Sequence, residues 1–539
     1  MRTQAPQKSH ISSRTQKKKR KRKMATIKIR QSLSVVALVV VLVFPSAIFG
    51  YSEKEIKSWC SQTPYPAPCE HFLRTKAATS NNSPITDKSH FLKILVETAL
   101  STAVSAHKDA ISLGPKCRNS REKSAWADCV YLYDQIISRL NRTADRCSRS
   151  DAQTWLSAAL TALETCRTGF DELGVSASGY PLTANNVSKL ISDGLSVNGP
   201  PSPDGFGPPS RVDGFPVWVS PGDRKLLQSG SPAGNADVVV AKDGSGDFQT
   251  VAAAVAAAKG GGRFVIYVKA GVYSENVEIK AKNVMLVGDG IGKTVITGSR
   301  SVGGGSTTFR SATVAVDGDG FIARDITFRN TAGAKNHQAV ALRSGSDLSV
   351  FYRCGFEGFQ DTLYVYAERQ FYKQCDIYGT VDFIFGNAAV VIQDSNIIAR
   401  DPPNKTITLT AQGRSDPNQN TGISIHNCRV TSAGGLSGVK AYLGRPWRQY
   451  SRTVFMKSNI GGFINPAGWM EWSGNFALNT LYYGEYSNTG PGSSTANRVK
   501  WKGYHVITSA AEASKFTVGN FIAGGSWLPN TGVPFTSGL

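Results

Sequence analysis

The sequence predicts a parallel β-helix preceded by a small bundle of α-helices. Three observations predict it. A short phrase recurs along the second half of the chain, the composition changes sharply near residue 235, and six of nine cysteines fall before residue 170. At 539 residues the chain is several times a typical domain of roughly 100–200, so more than one core is expected.

The recurring phrase carries the β-helix. It reads DITF from Asp325, RCGF from Arg353, QCDI from Gln374, DSNI from Asp394, NCRV from Asn427 and KSNI from Lys457, at steps of 28, 21, 20, 33 and 30 residues. A base period near 20 with insertions fits coils that stack on one another, with extra residues bulging out as loops. Ile, Cys and Ser share the second position, as an inward column restricted to small or apolar groups requires. A β-sandwich would instead show strands every 8–12 residues with turns between them. The whole stretch 236–539 is rich in Gly, Val, Ile, Thr and aromatics.

That period gives meaning to residues 360–387, QDTLYVYAERQFYKQCDIYGTVDFIFGN. Asp361 and Asp382 lie 21 residues apart, too far to share a helix face but one coil apart in the stack. Strands about 4.8 Å apart can then bring their side chains together. Gln338, 23 residues before Asp361, fits the coil below. Two close carboxylates resist ionising together, so one can carry a proton near neutrality. The alternative is a pair of turn aspartates bonded to backbone amides. Other nucleophile machinery is missing: there is no G-x-S-x-G elbow and no H-E-x-x-H. The glycine runs at 260–262 and 303–305 lack the Lys-Ser/Thr of a phosphate loop.

Residues 51–195 read as helical. The stretches 91–106, 124–142 and 154–164 carry apolar residues three and four apart, with few glycines. Three or four such helices suggest a bundle. Cys60, Cys69, Cys117, Cys129, Cys147 and Cys166 allow up to three bridges in an oxidising compartment. Residues 196–235 are rich in Pro, Gly and Ser, a linker by composition, and hold the dibasic RKLL at 224–227, a place for proteolysis.

The head, residues 1–50, holds twelve Lys/Arg and no acid, out of a net charge of +22. Its basic run 17–23 alone could be a nucleic-acid patch. Followed by the mostly apolar run 33–49, it reads as the flank of a secretory signal or a signal anchor, marginal against the roughly 20 residues a membrane span takes. Four N-x-S/T triplets, at Asn81, Asn141, Asn186 and Asn404, agree with secretion and glycosylation. The last segment, with 29 basic and 21 acidic residues from 229 on, suits a polyanionic partner.

At this point a family resemblance is close. IYGTVDFIFGN (377–387), QDTLY (360–364), LGRPW (443–447) and YVKAGVYSENV (267–277) resemble the plant pectin methylesterases over nearly the whole of 236–539. Residues 51–195 resemble the inhibitor-like pro-region of such enzymes, a four-helix bundle. There Cys60 with Cys69, and Cys129 with Cys166, match the two pairs, while Cys117 and Cys147 stand outside the pattern. RKLL matches the processing motif between the two parts.

The resemblance implies a right-handed parallel β-helix that hydrolyses methyl esters of polygalacturonate. It needs no cofactor and no metal. Asp382 is implied as nucleophile, Asp361 as proton donor and then base, Gln360 and Gln338 as donors to the oxyanion, and Arg445 as the partner that holds Asp382 ionised. Trp447 is implied to stack on sugar and Thr308 to touch substrate; Tyr364, Phe385 and Trp469 are candidate cleft aromatics or packing residues. Partners are then methylated pectin, a processing protease and the chain's own pro-region as inhibitor, with no nucleic acid. The protein is expected as a monomer in the cell wall, touching membrane only through an uncleaved head. One departure stands out. The family often has Cys where this chain has Ser395, so Cys375 is left free or pairs with Cys354 on the preceding coil. The remaining readings are a lyase or glycoside hydrolase on the same fold, and a non-enzymatic wall binder whose helical part inhibits other esterases.

Overall fold

A computed structural model describes residues 51–79, 84–145, 147–175, 185–199, 211–212, 215–216, 236–259 and 261–539. The basic and apolar runs of the head, the RKLL site and the sequon at Asn81 lie outside the described residues. No helix among the described residues is long and apolar enough to cross a membrane.

From residue 238 to 506 the chain winds through three parallel sheets of eleven, eight and seven strands. Neighbours in each sheet are strands one coil apart. The registers repeat the intervals of the phrase: Thr327 pairs with Gly355, Gly355 with Asp376, Asp376 with Asn396, Asn396 with Arg429 and Arg429 with Asn459. Parallel strands covered on both faces read as runs of Val and Ile rather than as alternation, as AVVIQ and GISIH do here.

The phrase itself proves to be the corner between the first and second sheets. Its opening residues Asp325, Arg353, Gln374, Asp394, Asn427 and Lys457 all have φ between 51° and 57°. This left-handed corner turns the following residue into the core, where Ile326, Cys354, Cys375, Ser395, Cys428 and Ser458 form a buried column. Each corner costs an L-residue roughly 1–2 kcal/mol. Outside, the corners bond upward: Arg353 Nε donates to Asp325 at 2.6 Å and Asn427 Nδ2 to Asp394 at 2.6 Å. Inside, aromatic rings stack along the axis, Phe351 on Tyr372 at 4.6 Å and Phe328 on Phe356 at 5.7 Å.

Cys354 and Cys375 stand on neighbouring coils as free thiols, so the open alternative resolves to no bridge. Cys375 Sγ donates to the carbonyl oxygens of Phe351 and Lys373, and its N–H donates to Ser395 Oγ. Burial pushes the Cys354 thiol up, and pushes Cys428 up to about 12. These thiols are inert core groups.

The third sheet positions the site, and its strands are labelled here β1 (Val277–Ile279), β2 (Val314–Val316), β3 (Leu342–Ser344), β4 (Leu363–Val365), β5 (Ile384–Gly386), β6 (Thr406–Gln412) and β7 (Lys440–Gly444). They lie side by side in chain order.

Among the described residues, the helical region holds α1 (Glu53–Cys60), α2 (Pro66–Thr79), α3 (Lys88–Leu113), α4 (Ser120–Ala144), α5 (Arg149–Glu172) and α6 (Val187–Asn198). Polar caps start four of them: Ser52 in a capping box, then Asp87, Asn119 and Ser148. Cys60–Cys69 ties the first two helices, and Cys129–Cys166 ties α4 to α5. The third bridge that six cysteines would allow is not present. Cys117 precedes α4 and Cys147 follows it, so 25 residues of helix, about 37 Å, hold them apart. The bundle core continues into the outer face of the third sheet, joining Leu156, Leu160 and Phe170 to Phe309, Tyr364, Tyr366, Phe385 and Ala411.

Candidate active site

Leu363 pairs with Ile384, an offset of 21 residues, and Asp361 and Asp382 each stand two residues before those partners. Both have positive φ, 61° and 50°, so β4 and β5 are each entered through a left-handed residue that swings its side chain out of the ladder. The two carboxyls line one cavity of about 270 Å³ together with Gln338, Gln360, Thr308, Tyr364, Phe385, Arg445 and Trp447. Of the ten site residues expected from sequence, nine meet there.

Asp382 is held on three sides. Arg445 Nε donates to Oδ1 at 2.9 Å and to Oδ2 at 3.2 Å, and Nη2 donates to Oδ2 at 2.7 Å. Thr408 Oγ1 donates to Oδ1 at 2.5 Å while accepting the Asp382 N–H at 2.9 Å. A bidentate guanidinium and a hydroxyl hold the carboxyl group in one orientation. Asp361 has no such partner. Its carboxyl is held well above the usual carboxylate range, by burial first and then by the charges of Asp382 and Glu172, with Arg445 opposing. The site therefore sets a carboxyl group clamped by a guanidinium beside one disposed to keep a proton.

Tyr364 and Phe385 are one coil apart and stack at 4.1 Å, and the Trp447 ring meets Phe385 edge-on at 5.9 Å. Trp469 is the residue that does not belong. Its place pairs with Gly444 inside the coil, where it is 1 % exposed, stacks on Tyr483 at 4.2 Å and donates Nε1 to Glu485 at 3.2 Å. The cleft aromatic from that segment is Trp472, which lies beneath the Arg445 guanidinium at 4.4 Å and lines the cavity.

Sequence reasoning missed Thr408, Trp472 and the acids contributed by the helices. Asp128 of α4 and Glu172 at the end of α5 both line the cavity. Glu172 accepts the Thr308 N–H at 2.9 Å, and burial pushes its carboxyl up. Around the rim, Arg139 of α4 donates to Glu368 at 3.0 Å, Tyr131 to Asp317 at 2.7 Å and Asn387 to Thr161 at 2.8 Å. The helices thus lie across the mouth of the cavity.

Comparison with known proteins agrees with this architecture. Residues 237–525 match the pectinesterase family model, and residues 54–197 match that of the plant invertase/pectin methylesterase inhibitors. Pectinesterase 2 of Citrus sinensis is 65% identical over 500 residues, 91% of this chain and 96% of that one. Probable pectinesterase/pectinesterase inhibitor 17 of Arabidopsis thaliana is 63% identical over 509 residues, 93% of this chain and 98% of that one. Among solved structures, the pectin methylesterase from carrot superposes with a TM-score of 0.56 at 61% identity, covering 56% of this chain and 98% of that chain. The 56% of this chain that is covered equals the share made up by residues 236–539. A parallel β-helix with an inhibitor-like helical region, matched over nine-tenths of its length, makes this chain a carboxylic ester hydrolase that belongs to the pectinesterase family.

Proposed function

We propose that residues 236–539 hydrolyse methyl esters of pectin through a covalent intermediate on Asp382, and that the helical region restrains this activity until it is removed. One observation carries the reading: two carboxyls on adjacent coils share a cavity, one clamped by Arg445 and Thr408 and the other raised above the usual carboxylate range by burial and by the charge of its neighbour.

An Asp382 oxygen attacks the ester carbonyl carbon, and the carbonyl oxygen becomes an oxyanion. The amide groups of Gln338 and Gln360 donate to it, work worth roughly 3–4 kcal/mol per donor. As the tetrahedral intermediate collapses, Asp361 gives its proton to the methoxy oxygen and methanol leaves, with the galacturonate acyl group joined to Asp382. The ionised Asp361 then takes a proton from water, which attacks the acyl carbon and frees Asp382 and a galacturonate carboxylate. Water is consumed, and methanol and an acid are formed. Tyr364, Phe385, Trp447 and Trp472 offer ring faces to sugar.

Asp361 must start protonated, so the rate should fall as pH rises through its pKa, which the neighbouring charge of Asp382 raises with or without the helices. In Asp361→Asn that alkaline limb should vanish, together with about 10²–10⁴ of kcat. A wild-type-like rate and profile in this variant would remove Asp361 from the mechanism. Secretion to the cell wall, cleavage at RKLL and action as a monomer complete the reading. They rest on the head, the linker and the family match.

A further inference from the structure

Where the helices cross the cleft they set acids on basic groups of the β-helix. Asp128 is gripped from two sides, by Arg310 Nε at 2.5 Å and by Thr307 Oγ1 at 2.6 Å. Both donors belong to the β-helix, just ahead of β2, and bracket a single carboxylate. Beyond β7, Arg448 lies over Trp447, donates Nη2 to Thr168 at 2.6 Å and faces Glu164 at 4.0 Å. Glu164, Thr168 and Glu172 follow at four-residue spacing, so they share one face of α5 over about 12 Å. That face runs acid, hydroxyl, acid along the cleft, with Glu172 beside Asp361 and Asp128 from α4 beyond it.

We propose that Arg310 and Arg448 are carboxylate-binding residues of the pectin cleft, occupied by Asp128 and Glu164 while the helices are docked. The inference rests on the hydrolase reading above. Each turnover converts an ester into a carboxylate, so a partly processed chain carries the same group at sugars on either side of the reacting one. Arg310 and Arg448 flank the pair Asp361 and Asp382, which stand before β4 and β5 between them. Losing Asp128 and Glu164 leaves both guanidinium groups facing that space. Arg310 keeps one partner in the β-helix, Glu278, which accepts from Nη1 at 3.0 Å and leaves Nε, the donor to Asp128, for another carboxylate. Arg448 has a planar fork suited to a carboxylate and an indole beneath it.

Competition and substrate choice test this in residues 236–539, which hold the whole match to the pectinesterase family model and equal the share of this chain covered by the carrot structure. In Arg310→Gln and in Arg448→Gln, the inhibition constant of fully de-esterified polygalacturonate against wild-type-like substrate should rise about 3- to 5-fold. KM for half-esterified pectin should rise by a larger factor than KM for fully esterified pectin. An unchanged inhibition constant, or equal KM changes on the two substrates, overturns the proposal and leaves these arginines as anchors for the helices only. Failure of the unmutated fragment to release methanol from either substrate would refute the hydrolase reading instead.

Discussion

Asp382→Asn in residues 236–539 should lower kcat for methanol release by at least about 1,000-fold, as loss of a covalent nucleophile does elsewhere. An amide oxygen cannot form the acyl intermediate. The fold should survive, because Asn is among the few residues at ease at the φ of 50° found here. Arg445 also keeps Trp472 beneath its guanidinium and a side chain 22% exposed to water. Unchanged circular dichroism with lost turnover is the expected pair of results. A fully active, folded variant would move the nucleophile elsewhere.

The full chain should release methanol at least about 100-fold more slowly than residues 236–539, which corresponds to helices docked in roughly 99 of 100 molecules. A polymer cannot enter a cavity of about 270 Å³ roofed by α4 and α5. The hold should also depend on pH, and the sign follows from Asp361 and Glu172. Both carboxyls are raised above their ordinary values when the helices are docked, chiefly by burial, with Asp382 and Asp128 adding negative charge and Arg445 and Arg448 opposing it. A group raised in the docked state binds more protons there. Docking is therefore strongest below the ordinary carboxylate range and weakens as pH rises through the elevated values. Comparing the two forms across this range checks both statements. Equal rates at all pH values would leave the helices without a restraining role.

Some of this was legible in sequence because backbone geometry fixes it. The intervals of the corner phrase became the registers of the second sheet, since one left-handed residue per coil must recur wherever the chain turns between the first two sheets. The 21-residue interval between Asp361 and Asp382 was readable for the same reason. Thr408 was not, because the loop ahead of β6 lengthens that coil to an offset of 26 and hides the alignment with Asp382. Trp469 and Trp472 could not be told apart. The segment around them is mostly turns, which provide no alternation to say which ring faces inward. Asp128 and Glu172 read as ordinary helix acids, since their partners Arg310 and Thr308 lie 182 and 136 residues away. Ser395, where the resemblance leads one to expect Cys, lies outside the lining of the cavity.

The most direct test is a methanol assay on residues 236–539 with methylated pectin, run with and without a chelator. Methanol released at equal rates in both, with no unsaturated sugar products, is the predicted result. A correctly folded fragment that releases no methanol, or that yields unsaturated sugars, would contradict hydrolysis at Asp361 and Asp382.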